Sequence, residues 1–376
     1  MFKADFYKIS LRRKDSYMPG LDVYRALAIL LGLFWHFIQI DSENNTLVTV
    51  LSTGPWGGAN PLFVISGFLL GGQIFSRILG NKNFSVKNFV LRRILKTWPS
   101  YFVLITIVIL LSFFFSFSNL PSVVQMFTFT QNFDLKNSFM SHTWSLCIEE
   151  HFYLVFSLGI FYFFSKPSLK KISWIFSLLF ILQIAVRYFL WQKYLSTPDA
   201  GSFEIYFNKI YYQSYCRIDG LLIGVYLAYF SNCNPEKWNK LIKMGSELLP
   251  VGILFCIVGF ILQMNRTTLL STLLVYPLET FGLAFIMIYC LNEKSLVNLL
   301  DSAWITVTAT LSYCLYLTHK PMFHLVDHFV HANVQDFGPY LTLTFFGSII
   351  ATFFAAYLLH IFIEKPFLNF RERFKL

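Results

Sequence analysis

The sequence predicts an all-α membrane protein: a polytopic transmembrane helical bundle of about ten spans, with both termini cytoplasmic. Three observations carry that prediction. Hydrophobic residues make up 56% of the 376 and charged residues 13%, against roughly 25% charged in soluble domains. The 44 phenylalanines, with the aliphatic residues around them, are more apolar surface than a soluble fold of this length hides. The apolar residues also fall into successive runs near the ~20 residues that one bilayer crossing requires.

Taken in order, the runs place spans near 20–40, 56–76, 98–117, 144–164, 173–192, 217–232, 247–264, 269–291, 304–322 and 340–363. Residues 1–18 are polar and basic, and the run after them is long enough to span. It therefore reads as the first transmembrane helix and not as a cleavable signal. The sixth run is short. The stretch 122–133 is apolar but too short to cross, so it reads as interfacial or re-entrant. Cys147, Cys216, Cys233, Cys256, Cys290 and Cys314 lie mostly in or beside apolar runs without metal-ligand spacing, and they read as small apolar fillers. No linker, low-complexity tract or repeat divides the chain. One domain is expected, with a cytoplasmic tail at 1–18, the bundle at 19–364 and a second cytoplasmic tail at 365–376.

Charge sets the orientation. The net charge is +10, and 22 of the 30 Lys and Arg fall in the tails and in 77–97, 165–172, 233–246 and 292–303. Those segments alternate with the spans and lie on one side when the N-terminus is inside, as the positive-inside rule requires. The basic residues then contact anionic membrane lipids. Nucleic acid is excluded as a partner, because it needs one continuous basic face.

Charge inside a span costs roughly 2.5–3.5 kcal/mol at the centre and asks for a reason. The first span carries Arg25 and His36, whose spacing returns both to nearly one helix face, about 16 Å apart along the axis. Arg25 alone reads equally as a snorkelling cation; the aligned pair argues for a site. The fourth span opens with His142, Trp144 and Ser145 and carries Glu149 and Glu150, which point about 100° apart. One of these glutamates is expected to rest in interfacial water. Arg217 and Asp219, two apart, do not face each other on a helix, so each is expected to pair elsewhere. The ninth span holds Tyr313 and ends at His319. Ser66 and Gly67 read as close helix contact, since no nucleophile-elbow pattern surrounds the serine. Arg92 and Arg93, followed by Tyr101, read either as plain positive-inside charge or as a phosphate grip. His324 and His328 have helical ligand spacing, but with no clear third ligand among Asp327 and His331 they read as a solvated loop, and no metal is expected. The sequons at Asn44 and Asn265 read as chance matches.

Several segments, in order, resemble a known family: Arg25 with His36 after ten intervening residues, FVISGFLLGG at 63–72, and Arg92-Arg93 through Pro99 and Tyr101. HTWSLCIEEHFYL at 142–154, RIDGLLIG at 217–224, LSYCLYLTH at 311–319 and IEKPF at 363–367 complete the set. The chain resembles, nearly end to end, the polytopic membrane acyltransferase family 3, the O-acyltransferases of cell-surface glycans. Lys96, where arginine is common, and His151, where glutamine is frequent, are mild departures. The resemblance implies an acyl-CoA donor, usually acetyl-CoA, arriving from the cytoplasm, and no bound cofactor. It implies a hydroxyl acceptor on a glycan or glycolipid such as lipopolysaccharide O-antigen or exopolysaccharide. It also implies a multi-pass protein of a bacterial inner membrane. Arg25 and His36 match the family's essential pair, and Glu149 its Trp-Ser-x-x-x-Glu position. The chain ends about ten residues after the last expected span, which implies the stand-alone form without an extracytoplasmic esterase-like domain.

Residue map and resemblance together place a donor site at Arg92, Arg93 and Tyr101. They place catalysis at Arg25, His36 and Glu149, with His36 as general base oriented by Glu149 as in a triad. Ser66, His142, Trp144, Ser145, Arg217, Asp219, Tyr313 and His319 fall on the acceptor side or in support. The rival reading is an ion-coupled carrier, which usually shows internal repeats. The sequence carries no sign of oligomeric state.

Overall fold

The computed structural model describes residues 18–40, 59–78, 80, 85–113, 120–135, 140–163, 169–197, 202–334 and 336–374. Residues 1–17 of the expected N-terminal tail and the sequon at Asn44 fall outside them. Among the described residues there is no strand. The helices are α1 (Pro19–Ile40), α2 (Asn60–Ile78), α3 (Val86–Ser112), α4 (Val123–Thr128), α5 (Trp144–Phe163) and α6 (Leu169–Tyr194). After a short helix at Ser202–Tyr206 come α7 (Asp219–Cys233), α8 (Pro235–Lys243), α9 (Gly245–Gln263) and α10 (Leu269–Leu291). The chain finishes with α11 (Ala303–Asn333), α12 (Phe337–Leu359), a π-helical turn at His360–Glu364 and α13 (Lys365–Arg371).

Among the described residues, seven helical stretches are long and apolar enough to cross a bilayer: α1, α2, α3, α6, α9, α10 and the continuous run through α12 and α13. The remaining expected spans are helices too, but each departs from a plain apolar rod. Two glutamates interrupt α5, α7 has 15 residues, and α11 turns polar in its second half. Side chains such as Trp174, Leu178 and Ile181 on α6, and Leu254 and Ile261 on α9, are exposed. Lipid would cover them. Helix starts follow ordinary capping rules: Ser85, Thr268 and Ser302 each accept from a backbone N–H in the first turn.

The helices pack tightly where residues are small. At the crossing of α2 and α7, a Cβ on Gly67 would lie 2.3 Å from the Leu221 carbonyl oxygen, and one on Gly224 would lie 2.2 Å from that of Val64. Gly67 therefore allows two backbones to touch, as expected. At the start of α3, Arg92 donates to the Arg371 and Phe374 carbonyl oxygens at 3.1 and 2.7 Å and pairs with Glu372 at 3.3 Å. The start of α3 and the C-terminal helix thus share one side of the bundle, the basic side.

The apolar stretch after α3 folds back against that helix. Met126 accepts at its carbonyl oxygen from the Tyr101 hydroxyl (3.0 Å), and Phe129 packs on Trp98, Tyr101 and Phe102. Trp98 lies 14 residues before the end of α3, or roughly 21 Å of helix. The hairpin therefore reaches well back into the bundle. Phe129 sits at its tip with φ of 55°, a left-handed conformation that non-glycine residues seldom adopt. Three surrounding rings hold it there. Gln131 completes the anchor, donating to the Tyr101 hydroxyl at 2.9 Å and to Thr143 at 3.1 Å.

A buried ion pair joins α6 to α7. Arg187 makes a two-point contact with Asp219, at 2.9 and 3.0 Å, and also donates to the Cys216 carbonyl oxygen. Both side chains are almost fully buried. Arg187→Ala leaves a carboxylate buried without its partner, so it is expected to lower stability by about 3–5 kcal/mol. Arg187→Leu combined with Asp219→Leu is expected to recover much of that loss in a thermal melt of the detergent-solubilised protein. Equal loss in the single and double variants would show that the pair contributes only through packing.

Candidate functional site

The site is built from one face of α1 and the helices that meet it. Arg25 and His36 project from that face, eleven positions apart. Arg25 lies near the basic side, with Asp22 at 3.9 Å and both Lys96 and Glu364 within electrostatic reach. Arg93 and Arg371 add positive charge around Lys96. The result is a cluster of cations at one end of the site.

His36 lies at the other end. Its ring is 4.9 Å from that of His319 and 4.7 Å from Trp35, centroid to centroid. The His319 ring is in turn 4.7 Å from that of His142. Three histidines from α1, α11 and the turn before α5 therefore gather at one place. Tyr316 braces them by donating to the His142 carbonyl oxygen at 2.7 Å, and Ser145 lies 2.9 Å from the same tyrosine hydroxyl. Lys320 donates to Ser141 at 2.7 Å, tying α11 to the turn that carries His142.

Between the two ends run two carboxylates. Glu149 accepts from Ser66 at 3.2 Å and from Tyr153 at 2.7 Å, and the Arg93 guanidinium lies 3.9 Å over the Tyr153 ring. The expected pairing of Glu149 with His36 gives way to this α2–α5–α3 chain. Glu150 turns to α3, accepting from Thr97 at 2.9 Å and from the Trp98 indole at 3.1 Å. The two glutamates diverge as helical geometry requires. Both are half-buried, and each has a partner on another helix of the bundle. Tyr313 donates to the Thr97 carbonyl oxygen at 2.7 Å, joining α11 to the same level.

Other expected site residues sit elsewhere. The Tyr101 hydroxyl is fully buried and engaged by Met126 and Gln131, so it anchors the hairpin and does not face the donor end. Arg92 spends its donors on the C-terminal helix, as described above. Arg217 and Asp219 each pair with another helix, as expected. Arg217 donates to Asn60 at 2.6 Å and stacks over Tyr276, Tyr211 and Trp144. Asn60 donates to Glu279 at 2.5 Å, and Gln263 bonds to the same carboxylate. These groups form a second polar centre, and none of these hydrogen bonds goes to His36, His142 or His319.

Sequence reasoning missed several of these partners. Arg187 and Glu279 are mid-span charges in IAVRYFL and YPLETFG, visible by the same test that singled out Arg25. His360 and Glu364 stand at helical i,i+4 spacing, and their side chains meet at 2.6 Å. Cys314 donates to the same carboxylate at 3.3 Å, so it is a polar partner and not an apolar filler. The three ligand atoms lie within 4.8 Å of one another, yet Glu364 is already shared by both neighbours. That arrangement links α11 to the π-turn. His324 and His328 are exposed and Asp327 accepts from Tyr340, but all three lie on α11, which continues to Asn333, and not in the expected loop.

Residues 18–361 match the acyltransferase 3 family, described as an acyltransferase domain. The O-acetyltransferase OatA of Staphylococcus aureus (strain NCTC 8325 / PS 47) is 25% identical over 394 residues, covering 97% of this chain and 60% of the relative. The peptidoglycan O-acetyltransferase OatA of Listeria monocytogenes serovar 1/2a is 23% identical over 400 residues, covering 98% of this chain and 59% of the relative. The chain thus spans about three fifths of the length of the curated relatives it matches. No solved structure matches.

Glu150→Ala removes the acceptor for both Thr97 and Trp98. It is expected to destabilise the protein by about 1–3 kcal/mol, read as a lower melting temperature, with Glu150→Gln losing less. An unshifted melt in Glu150→Ala would deny these bonds a structural role.

Proposed function

The chain belongs to the acyltransferase 3 family, and from that premise we propose that it moves an acyl group, acetyl above all, from cytoplasmic acyl-CoA to a glycan hydroxyl. The observation that carries this reading is the polarity of the site along α1. Cations gather around Arg25 at one end, and three histidines gather around His36 at the other.

Each end suits one substrate. The phosphates of CoA are anionic, and Arg25, Arg93 and Lys96 offer charge-assisted donors to them. Arg92 is expected to contribute less than its sequence position suggests, because a phosphate would compete with the carbonyl oxygens it already serves. Arg25 and His36 are about 16 Å apart along the axis, a separation that an extended acyl-pantetheine arm bridges. The thioester then lies beside His36. There the imidazole takes the proton of an acceptor hydroxyl, the hydroxyl oxygen attacks the thioester carbonyl carbon, and the carbon–sulfur bond breaks. The sulfur leaves as thiolate and takes the proton back from the His36 imidazolium to become the CoA thiol, which regenerates the base, while the acceptor keeps the new ester. General-base assistance of this kind is typically worth about 10²–10⁴-fold. Glu149 acts as a positioning residue in this scheme: it fixes Tyr153, on which the Arg93 guanidinium rests.

The acceptor is a polyhydroxylated glycan or glycolipid of the cell surface. The Listeria relative's name makes a peptidoglycan fragment the first candidate, with lipopolysaccharide O-antigen and exopolysaccharide next. The basic side is assigned to the cytoplasm by the positive-inside rule, which suits an inner-membrane enzyme with its donor in the cytosol.

Purified protein in lipid nanodiscs, given labelled acetyl-CoA and a panel of these glycans, is expected to release CoA only with an acceptor present. His36→Ala is expected to lose about 10²-fold or more of that rate while retaining its melting temperature. A folded His36→Ala enzyme at full rate would remove the base from the scheme, and solute flux without CoA release would favour a carrier. Arg93→Gln is expected to raise KM for acetyl-CoA about tenfold, as loss of a charge-assisted contact implies, and to leave the KM for the acceptor unchanged. An unchanged KM for acetyl-CoA would place the phosphates elsewhere.

A further inference from the structure

The three histidines are not equivalent, and their hydrogen bonds say how. Nδ1 of His319 lies 2.7 Å from the Tyr316 carbonyl oxygen. A carbonyl can only accept, so this nitrogen carries the proton. In the neutral ring, Nε2 then holds a bare lone pair. That atom is buried and has no hydrogen-bond partner among the described residues. His142 shows the opposite tautomer. Its Nε2 lies 3.2 Å from the Leu317 carbonyl oxygen and must donate, which leaves Nδ1 as the bare nitrogen. It too is buried and without a partner. Both side chains are 2% exposed.

Two buried acceptors with fixed tautomers, side by side and next to His36, call for donors. A buried acceptor left without a donor costs about 1–3 kcal/mol, so the arrangement suits a ligand that brings hydroxyl hydrogens. The neighbouring cation does not serve this purpose: Lys320 is directed to Ser141. We infer that Nε2 of His319 and Nδ1 of His142 form a hydroxyl-binding subsite, which holds two donor hydroxyls of a polyol acceptor and so presents a third, neighbouring hydroxyl to His36. This rests on the acyl-transfer reading above and deepens it, adding two acceptor-binding residues whose orientation the backbone of α11 sets.

The geometry supplies matched variants. His319→Asn keeps an amide donor near the Nδ1 position for Tyr316 and removes Nε2. His142→Gln keeps a donor near the Nε2 position for Leu317 and removes Nδ1. A purely structural role predicts little change in either. The subsite predicts that each loses at least about tenfold in transfer, as loss of a strong hydrogen bond implies, while CoA still raises the melting temperature of each variant as it does for wild type.

The test uses full-length protein in a deletion strain, so the native acceptor is present. Ester-linked acetate released from surface glycans by mild base is measured for wild type and both variants. Purified proteins are compared for the CoA-induced melting shift, and ¹⁵N-histidine spectra report which ring nitrogens are protonated. Acetate restored by wild type but not by either variant, with the melting shift intact, supports the subsite. Full acetate in both variants overturns it and leaves the acyl-transfer reading standing. Protonation of the opposite nitrogens in wild type also overturns it. Wild type that restores no acetate overturns the acyl-transfer reading, and the subsite with it.

Discussion

The structure depends on one constraint: a polar atom inside a bilayer-spanning bundle has no water to turn to, so another helix must satisfy it. That requirement decides which helices meet. Arg187 and Asp219 hold α6 to α7. Asn60 lies between Arg217 and Glu279, drawing α2 and α10 around the start of α7. Glu149 reaches α2 through Ser66, and Glu150 reaches α3 through Thr97 and Trp98. Apolar packing gives these helices little reason to prefer one another, since lipid is as apolar as leucine. The polar bonds and the glycine crossings supply the preference.

Helix α11 shows how one element can carry the constraint and a site together. Tyr313, Tyr316 and His319 follow at three-residue steps, so each is the surface neighbour of the next. The first binds the Thr97 carbonyl oxygen of α3 and the second the His142 carbonyl oxygen before α5. With both tyrosines fixed, the position of His319 is determined, and its Nδ1 is tied back to the helix's own Tyr316 carbonyl oxygen. A rigid element of this kind holds side chains better than a loop does. The folded-back hairpin supports the arrangement: Gln131 binds Thr143, the neighbour of His142.

Much of this was legible in the sequence, and the limits have physical causes. Hydropathy located the long described helices, because the length of an apolar run is set by bilayer thickness, but it missed that α3 begins at Val86 and that α11 runs on to Asn333. The Arg25–His36 stripe was legible because helical periodicity is local. The short apolar stretch at 122–133 announced itself by being too short to cross. What stayed hidden was the choice of partner. Nothing local to Glu149 says that Ser66 and Tyr153 will satisfy it in preference to His36, and nothing local to Arg92 says that the chain's end will fold back onto it. Cys314 read as a filler because cysteine usually is one, and only its meeting with Glu364 from another helix gives it a polar role. Arg187 and Glu279 are a different case: both were readable as mid-span charges, and the test applied to Arg25 applies equally to them.

The same constraint explains why the two ends of the site differ. The polyphosphate donor proposed above brings formal charge, and on that proposal cations such as Arg25, Arg93 and Lys96 hold it best near an aqueous edge, where their own desolvation cost is bearable. A sugar hydroxyl brings no charge, so its partners can sit deeper, provided that they are neutral acceptors. Imidazole is neutral when it carries one proton, and a backbone carbonyl that claims this proton fixes which nitrogen stays bare. His142 and His319 use that device with opposite nitrogens. A charged base in either place would need a counter-ion, and a carboxylate there would attract the cations that belong at the other end. On the acyl-transfer reading proposed above, separating the chemistry along α1 keeps each substrate with groups that the surrounding medium tolerates, and the depth of the bundle becomes the coordinate along which the acyl group passes from donor to acceptor.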